Sequence, residues 1–464
     1  MRRQRQSVEA GTGDATFIDA TPGNTVDFSA LTIPVVVNVS GAMVGMTQND
    51  TATAGSATDT FTGLASPSTF IGASGGTTFD AGTEADTFTG QGLAGDTLSY
   101  AHASGGSLLV CAAGLSTGPC SGVPAGSTGK AVLSTVTEPF SGIKVFDGLP
   151  GGDTAFVSGS AGGYTFNATG TGNTADFSAS TSGVSVDLST SPAAVSGFAT
   201  GGPDAMTGIT AVTGSAAGQN SFVAGTGSES FAQPGSGAGD RIDFSAVATS
   251  SSSPLTINVS GATVNGLAND SASVGTSLYS FATGGAAFTG FTGATDGNTD
   301  FLASGTGGYR YIGQGTPNTL NLSAAPAGTV VTVNGNSLAQ PGSVTKLTAG
   351  TSGATSDAFA DVQFFVGHVS IVSPVKVRPP NLPHATVGTP YMEQLTGVGG
   401  SAAYVDWSVE SGSLPPGLVL SPTGVLSGTP TVRGSFTFVV TLVDADNVVG
   451  ATTLTLVVNP HMKP

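Results

Sequence analysis

The phrase Asn-Thr-Val-Asp-Phe-Ser-Ala at residues 24–30 returns four times along this chain, each time altered. It reads DTLSYAH at 96–102, NTADFSA at 173–179, DRIDFSA at 240–246 and NTLNLSA at 318–324. Its fourth residue is Asp27, Ser99, Asp176, Asp243 and Asn321 in turn, so the copies stand 67 to 78 residues apart. Each is followed by a run of strand character: IPVVVNVSG, GSLLVCAAG, GVSVDLST, PLTINVSG and GTVVTVNG. A second phrase then starts at Phe61, Phe140, Met206, Phe288 and Phe359. Copies one and four are closest, with residues 38–50 and 258–270 agreeing at eight of thirteen positions. A repeat of many short strands cannot bury its apolar face alone, so successive units must stack. The expectation is a parallel β-solenoid or β-roll over residues 11–369, in about five units. Phe and Val would stack inward, Thr and Ser would face out, and Gly would turn the corners. A β-propeller would need Trp-Asp or kelch signatures, which are absent. Because the fourth residue of the phrase varies among Asp, Ser and Asn, it reads as a turn-forming joint rather than a ligand or a catalytic acid.

Composition agrees with an all-β chain. There are 71 Gly, 25 Pro and 24 Phe in 464 residues, and 39% of residues are hydrophobic, enough to oppose chain entropy. No segment shows the period of an amphipathic helix. The net charge of −17, with 12 Lys and Arg, excludes a nucleic-acid groove, which needs clustered cations and aromatic platforms. No run of about 20 apolar residues is present to span a bilayer as a helix. Residues 1–10 are basic, lack the apolar stretch of a signal peptide and are expected to be poorly ordered. The first repeat lacks its opening half, as in a piece of a longer secreted protein. Cys111 and Cys120 form either a small-loop disulfide or two free thiols.

Chemical motifs do not add up to a catalytic set. Gly72-Ala73-Ser74-Gly75-Gly76 fits a nucleophile elbow and residues 90–95 fit Gly-x-Gly-x-x-Gly, but neither leads into a helix. His102, His368, His384 and His461 share no metal-binding spacing. Acid pairs recur in every unit, whereas chemistry would break the repeat at one place. A non-enzyme is expected.

The order of Asp-Phe-Ser-Ala, VSVDLS, MTGITAVTGS and NSFVAGTGS resembles bacterial hemolysin-type (RTX) repeat proteins over about residues 11–367. That family carries tandem Gly-Gly-x-Gly-x-Asp-x-apolar-x nonapeptides whose turns hold calcium with oxygen ligands. Here the copies are isolated and eroded. The resemblance implies Asp86, Asp96, Asp153 and Asp240 as calcium candidates. The competing expectation is that these aspartates cap turns through backbone N–H groups.

Composition shifts near residue 370. Residues 370–383 read as a Pro-rich linker, 384–460 as a β-sandwich and 461–464 as a tail. Phe436, Phe438, Val440 and Leu442 alternate with polar or smaller neighbours, and Leu454 and Leu456 repeat the pattern. Trp407, the single tryptophan, is the expected anchor between two sheets. The motifs Leu414-Pro415-Pro416-Gly417-Leu418 and Gly424-Val425-Leu426-Ser427-Gly428-Thr429-Pro430 resemble the bacterial putative Ig family, related to dystroglycan-type cadherin-like domains. Cadherin relatives bind calcium at domain junctions, which implies Asp444 and Asp446, with Glu410 contributing. The competing reading of Asp444 and Asp446 is a polar hairpin turn. The fold expected is therefore all-β, a Gly-rich solenoid followed by an Ig/cadherin-like sandwich. The function expected is a non-enzymatic, secreted or cell-surface, adhesive or spacer protein whose partner is a cell-surface glycan or a matrix protein. The alternatives are a calcium-binding module and the non-catalytic part of a larger extracellular enzyme.

Overall fold

The computed structural model describes residues 7–18, 22–62, 68–112, 114–115, 118–123, 126–235, 239–283, 288–306, 308–325, 329–333, 342–346, 355–367, 370–372, 375–399, 404–444 and 449–461. It divides into residues 1–300 with 314–316, and residues 301–313 with 317–464.

The first unit is a two-sheet solenoid. The chain lays a strand of three or four residues in one sheet, turns, lays the next in the other, and returns. Thr69 lies opposite Thr87, Thr78 opposite Thr97 and Val145 opposite Thr165, so a coil takes 18, 19 and 20 residues at these places. Strands in adjacent coils run parallel. Their middle residues point inward and stack between the sheets. Phe79 and Phe88 of facing strands meet at 5.3 Å, Phe156 and Phe166 at 4.8 Å, and Phe222 and Phe231 at 5.3 Å between ring centroids. Such tilted contacts add to burial, which itself contributes about 1.5–3 kcal/mol per large side chain. Corners bring backbone against backbone. At Gly152 (φ +102°) a Cβ would stand 1.8 Å from the Thr171 carbonyl oxygen, so only glycine fits.

The repeated phrase is the joint its variability suggests. A side-chain oxygen of Asp27, Asp176, Asp243 and Asn321 accepts the N–H two residues on, at 2.8, 2.7, 2.8 and 3.0 Å. Ser99 accepts that of Ala101 at 3.4 Å. The next residue, Phe28, Tyr100, Phe177, Phe244 or Leu322, is buried. Its carbonyl accepts the N–H three residues further along and closes a turn.

Each unit also contains an element that the sequence did not announce. In four places among the described residues of this unit a single strand is replaced by three. The first set is Val35–Asn38, Thr51–Ala54 and Ala57–Thr62. The middle strand runs antiparallel to both others. The last strand pairs with the preceding coil at Thr16–Ile18, and the first with the following coil at Thr77–Asp80. The chain therefore walks through the insert backwards. Further inserts begin at Leu108–Cys111, Ser185–Asp187 and Leu255–Asn258. The first and third lie in one sheet, the second and fourth in the other. Four single strands separate consecutive inserts, so the fifth visit always falls on the opposite sheet. The second phrase marks the last strand of each insert. Phe61, Phe140 and Met206 do so, but the last strand of the fourth insert carries Phe281, and Phe288 lies before the next strand Gly290–Thr292.

In the second unit, the described residues of 301–313 and 317–372 form short strands with an insert of Val330–Val333, Gly342–Lys346 and Thr355–Ala360. The sandwich follows. Tyr404–Gly412, Gly434–Asp444, Val449–Asn459 and Ala385–Thr386 form one sheet, and Leu418–Leu420, Val425–Gly428 and Tyr391–Gln394 another. Trp407 is buried in their core with Leu395, Leu426, Phe438 and Leu456. Val375, Val377 and Leu382 belong to the same core, and Lys376–Arg378 pairs with Thr396–Val398. Much of the stretch expected as a linker at 370–383 is thus part of the sandwich, because its alternate residues are apolar. At the other end, Ser7–Glu9 is a strand paired with Thr25–Asp27, inside the segment expected to be poorly ordered.

Candidate functional site

Carboxylates at the corners fasten one coil to the next. Asp86 is buried and accepts the Ser68 N–H at 2.8 Å. Asp96 is fully buried and accepts three amides, from Thr77 at 3.0 Å, Gln91 at 2.8 Å and Leu93 at 2.9 Å. Asp240 accepts the Asn220 N–H at 2.5 Å, while its second oxygen is buried with no partner among the described residues, and burial raises its pKa. Asn173 and Asn220 accept amides in the same manner. Asp153 sits at a left-handed turn (φ +57°) and its N–H is held by the Thr171 carbonyl at 2.9 Å. Asp444 ends a strand opposite Tyr404. Asp446 lies outside the described residues. Among the described residues no three His, Cys, Asp or Glu side chains are placed to hold a metal ion. The carboxylates of Asp86, Asp96 and Asp240 do not converge, because each accepts an N–H from its own neighbouring coil.

The loops of the inserts are organised by one residue. Asn38 is fully buried, and its Nδ2 donates to the carbonyls of Ala42 at 2.8 Å and Thr47 at 3.0 Å. Its Oδ1 accepts the Ser40 N–H at 3.1 Å and hydroxyl at 2.7 Å. Asn258 repeats this with Ala262, Leu267 and Ser260. In the second insert, Cys111 at the matching place is joined to Cys120 in a disulfide.

The first of these loops overhangs an open hollow of about 510 Å³ on the outer face of its sheet. Val36, Val44 and Met46 form an apolar side, and Asp80, Ser99, His102 and Asp147 a polar one. Asp80 is buried, and its Oδ1 stands 3.5 Å from His102 Nδ1. Burial raises the Asp80 pKa and Asp147 adds to this, against the lowering effect of His102 and the Ser99 hydroxyl. Asn167 donates to Asp147 at 2.8 Å, and Thr207 donates to Asn167 at 3.3 Å. The sequence drew attention away from these residues. They align only when the lengths of the insert and of two corners are known, and nothing local signals them. A smaller polar hollow of about 170 Å³ is lined by Asp50, Glu84 and Asp86.

Residues 373–459 match the family model described as "Putative Ig domain". No curated protein matches the chain. Among solved structures, an endo-fucoidan hydrolase of glycoside hydrolase family 107 shares 15% identity over 29% of this chain and 19% of that one, with a TM-score of 0.17. Extracellular cadherin domains 3–6 of protocadherin Gamma B2 share 16% over 26% and 32%, at 0.16. Drosophila N-cadherin EC1–4 shares 11% over 26% and 34%, at 0.15. This chain spans at most about a third of the length of these three structures.

Proposed function

We propose that the chain is a non-enzymatic structural and adhesive module of the cell exterior. The solenoid serves as a spacer with a binding surface. The sandwich adds a further stalk or binding module for a cell-surface glycan or a matrix protein. The observation that carries this reading is the Ig-family match at 373–459, the kind of domain used in extracellular adhesion. The Cys111–Cys120 disulfide supports an oxidising compartment. The bonds made by the corner aspartates support a structural rather than a chemical use of those acids.

The test is to present the purified full chain to immobilised polysaccharides and matrix proteins while assaying the polysaccharides for new reducing ends. Retention on at least one surface without product is expected. Product release that persists through purification would overturn the reading, as would failure to bind any surface. A calcium-dependent module would instead require the melting temperature to rise on addition of millimolar calcium.

A further inference from the structure

The hollow beside the first insert continues into a line of polar side chains. Strand pairing sets Asp80 beside Ser99, Ser99 beside Asp147, Asp147 beside Asn167, and Asn167 beside Thr207. These five residues occupy five neighbouring strands at the same outward position. Adjacent strands lie about 4.8 Å apart, so the line runs about 19 Å across the sheet. Two residues earlier in each strand, a second outward row contains Thr78, Thr97 and Thr165, all half-buried, with Val145 between the last two. A regular row of hydrogen-bonding groups, one per strand, complements a regular polymer rather than a compact ligand.

Its chemistry narrows the polymer. The groups are carboxylate, hydroxyl, amide and imidazole, which together accept and donate to hydroxyls. Of the residues lining the hollow, only His102 is basic, and it already faces Asp80. Asp80 and Asp147, on a chain of net charge −17, repel sulfated, phosphorylated or uronate polymers. Asp147 already accepts the Asn167 amide, leaving lone pairs for hydroxyl hydrogens. Val36, Val44 and the fully exposed Met46 offer an apolar wall to the C–H faces of a ring. The hollow volume falls within the range of ligand sites.

We propose that this hollow and the polar line beyond it bind an extended, uncharged polysaccharide laid across the strands. The proposal rests on the adhesive reading and assigns it a site. Affinity gel electrophoresis of the full chain tests it, with hydroxyethyl cellulose, xyloglucan and glucomannan as uncharged probes and polygalacturonate and alginate as uronate probes. At least one uncharged probe should retard the chain, and neither uronate should. Met46→Asp, at an exposed lip, and Asp147→Ala should each weaken binding roughly tenfold or more. Thr263→Asp, on the matching loop of the fourth insert, should leave binding unchanged. Retardation by no uncharged probe, equal retardation by uronates, or full binding by both hollow variants would overturn the site. Adhesion to another surface without product, in that event, would leave the adhesive reading standing.

Discussion

Asn38, Cys111, Asp187 and Asn258 stand at one place in four successive units, after a strand and before a loop. Asn38 and Asn258 hold their loops with an amide that both donates and accepts. Asp187 keeps only the accepting half, towards Ser189. Cys111 replaces the arrangement with a covalent bond. The agreement at eight of thirteen positions between residues 38–50 and 258–270 was visible in the sequence, but its cause was not, since an asparagine's carbonyl partners lie four and nine residues away. Asn38→Ala should cost about 2–3 kcal/mol, because it removes two donated and two accepted bonds at a fully buried side chain. Asn38→Asp should cost at least as much, since a carboxylate would face those carbonyls. Urea denaturation followed by far-UV circular dichroism reads both, and unchanged midpoints would contradict the assignment.

At the level of elements, strand content and the inward phenylalanines were legible because alternation and glycine corners are local signals. The three-stranded inserts were not, because pairing order is settled between strands distant in the chain. The displaced fourth copy shows why. The last strand of an insert and the strand that follows place their inward residues at 61 and 70, 140 and 146, and 281 and 291. The wording FTG at 288–290, matching FTG at 61–63 and FSG at 140–142, selected Phe288 over Phe281, which reads FAT. In the sandwich, the apolar residues at 375, 377 and 382 outweigh the prolines that made that stretch resemble a linker. The disulfide spans nine residues, a short loop whose closure contributes on the order of 2.5–3 kcal/mol in the chain-entropy account. The Cys111→Ser, Cys120→Ser double variant should accordingly melt lower by circular dichroism. Trp407 fluorescence, which reports the sandwich, should keep its own midpoint. A coincident loss in both signals would contradict a local role.

Across the whole molecule several acids are shifted by burial in one direction. Burial raises Glu229 to about 7 against the Gly225 N–H, and raises Asp204 to about 6 against bonds from Tyr164 and Ser158. Burial also raises Glu138, which is hydrogen-bonded to Tyr100, and Asp59, Asp80 and Asp270. The folded chain therefore binds more protons than the unfolded chain between the ordinary carboxylate range and about pH 7. This stability is fully present below about pH 4 and is lost as pH rises through 6 to 7. Relief of self-repulsion at net charge −17 acts in the same sense. The melting temperature should be higher at pH 5 than at pH 8, and Glu229→Gln should flatten the upper part of that profile. A melting temperature that rises with pH would refute it. None of this was legible in the acidic composition alone, which does not say which carboxylates are buried. A last consequence concerns parity. Since each repeat takes an odd number of sheet visits, the twin loops at Asn38 and Asn258 leave the solenoid on opposite sides. The first unit thus carries one such loop on each of its two sheets. Gaining a single repeat between those loops would turn both to the same side, whereas gaining two would restore their opposition.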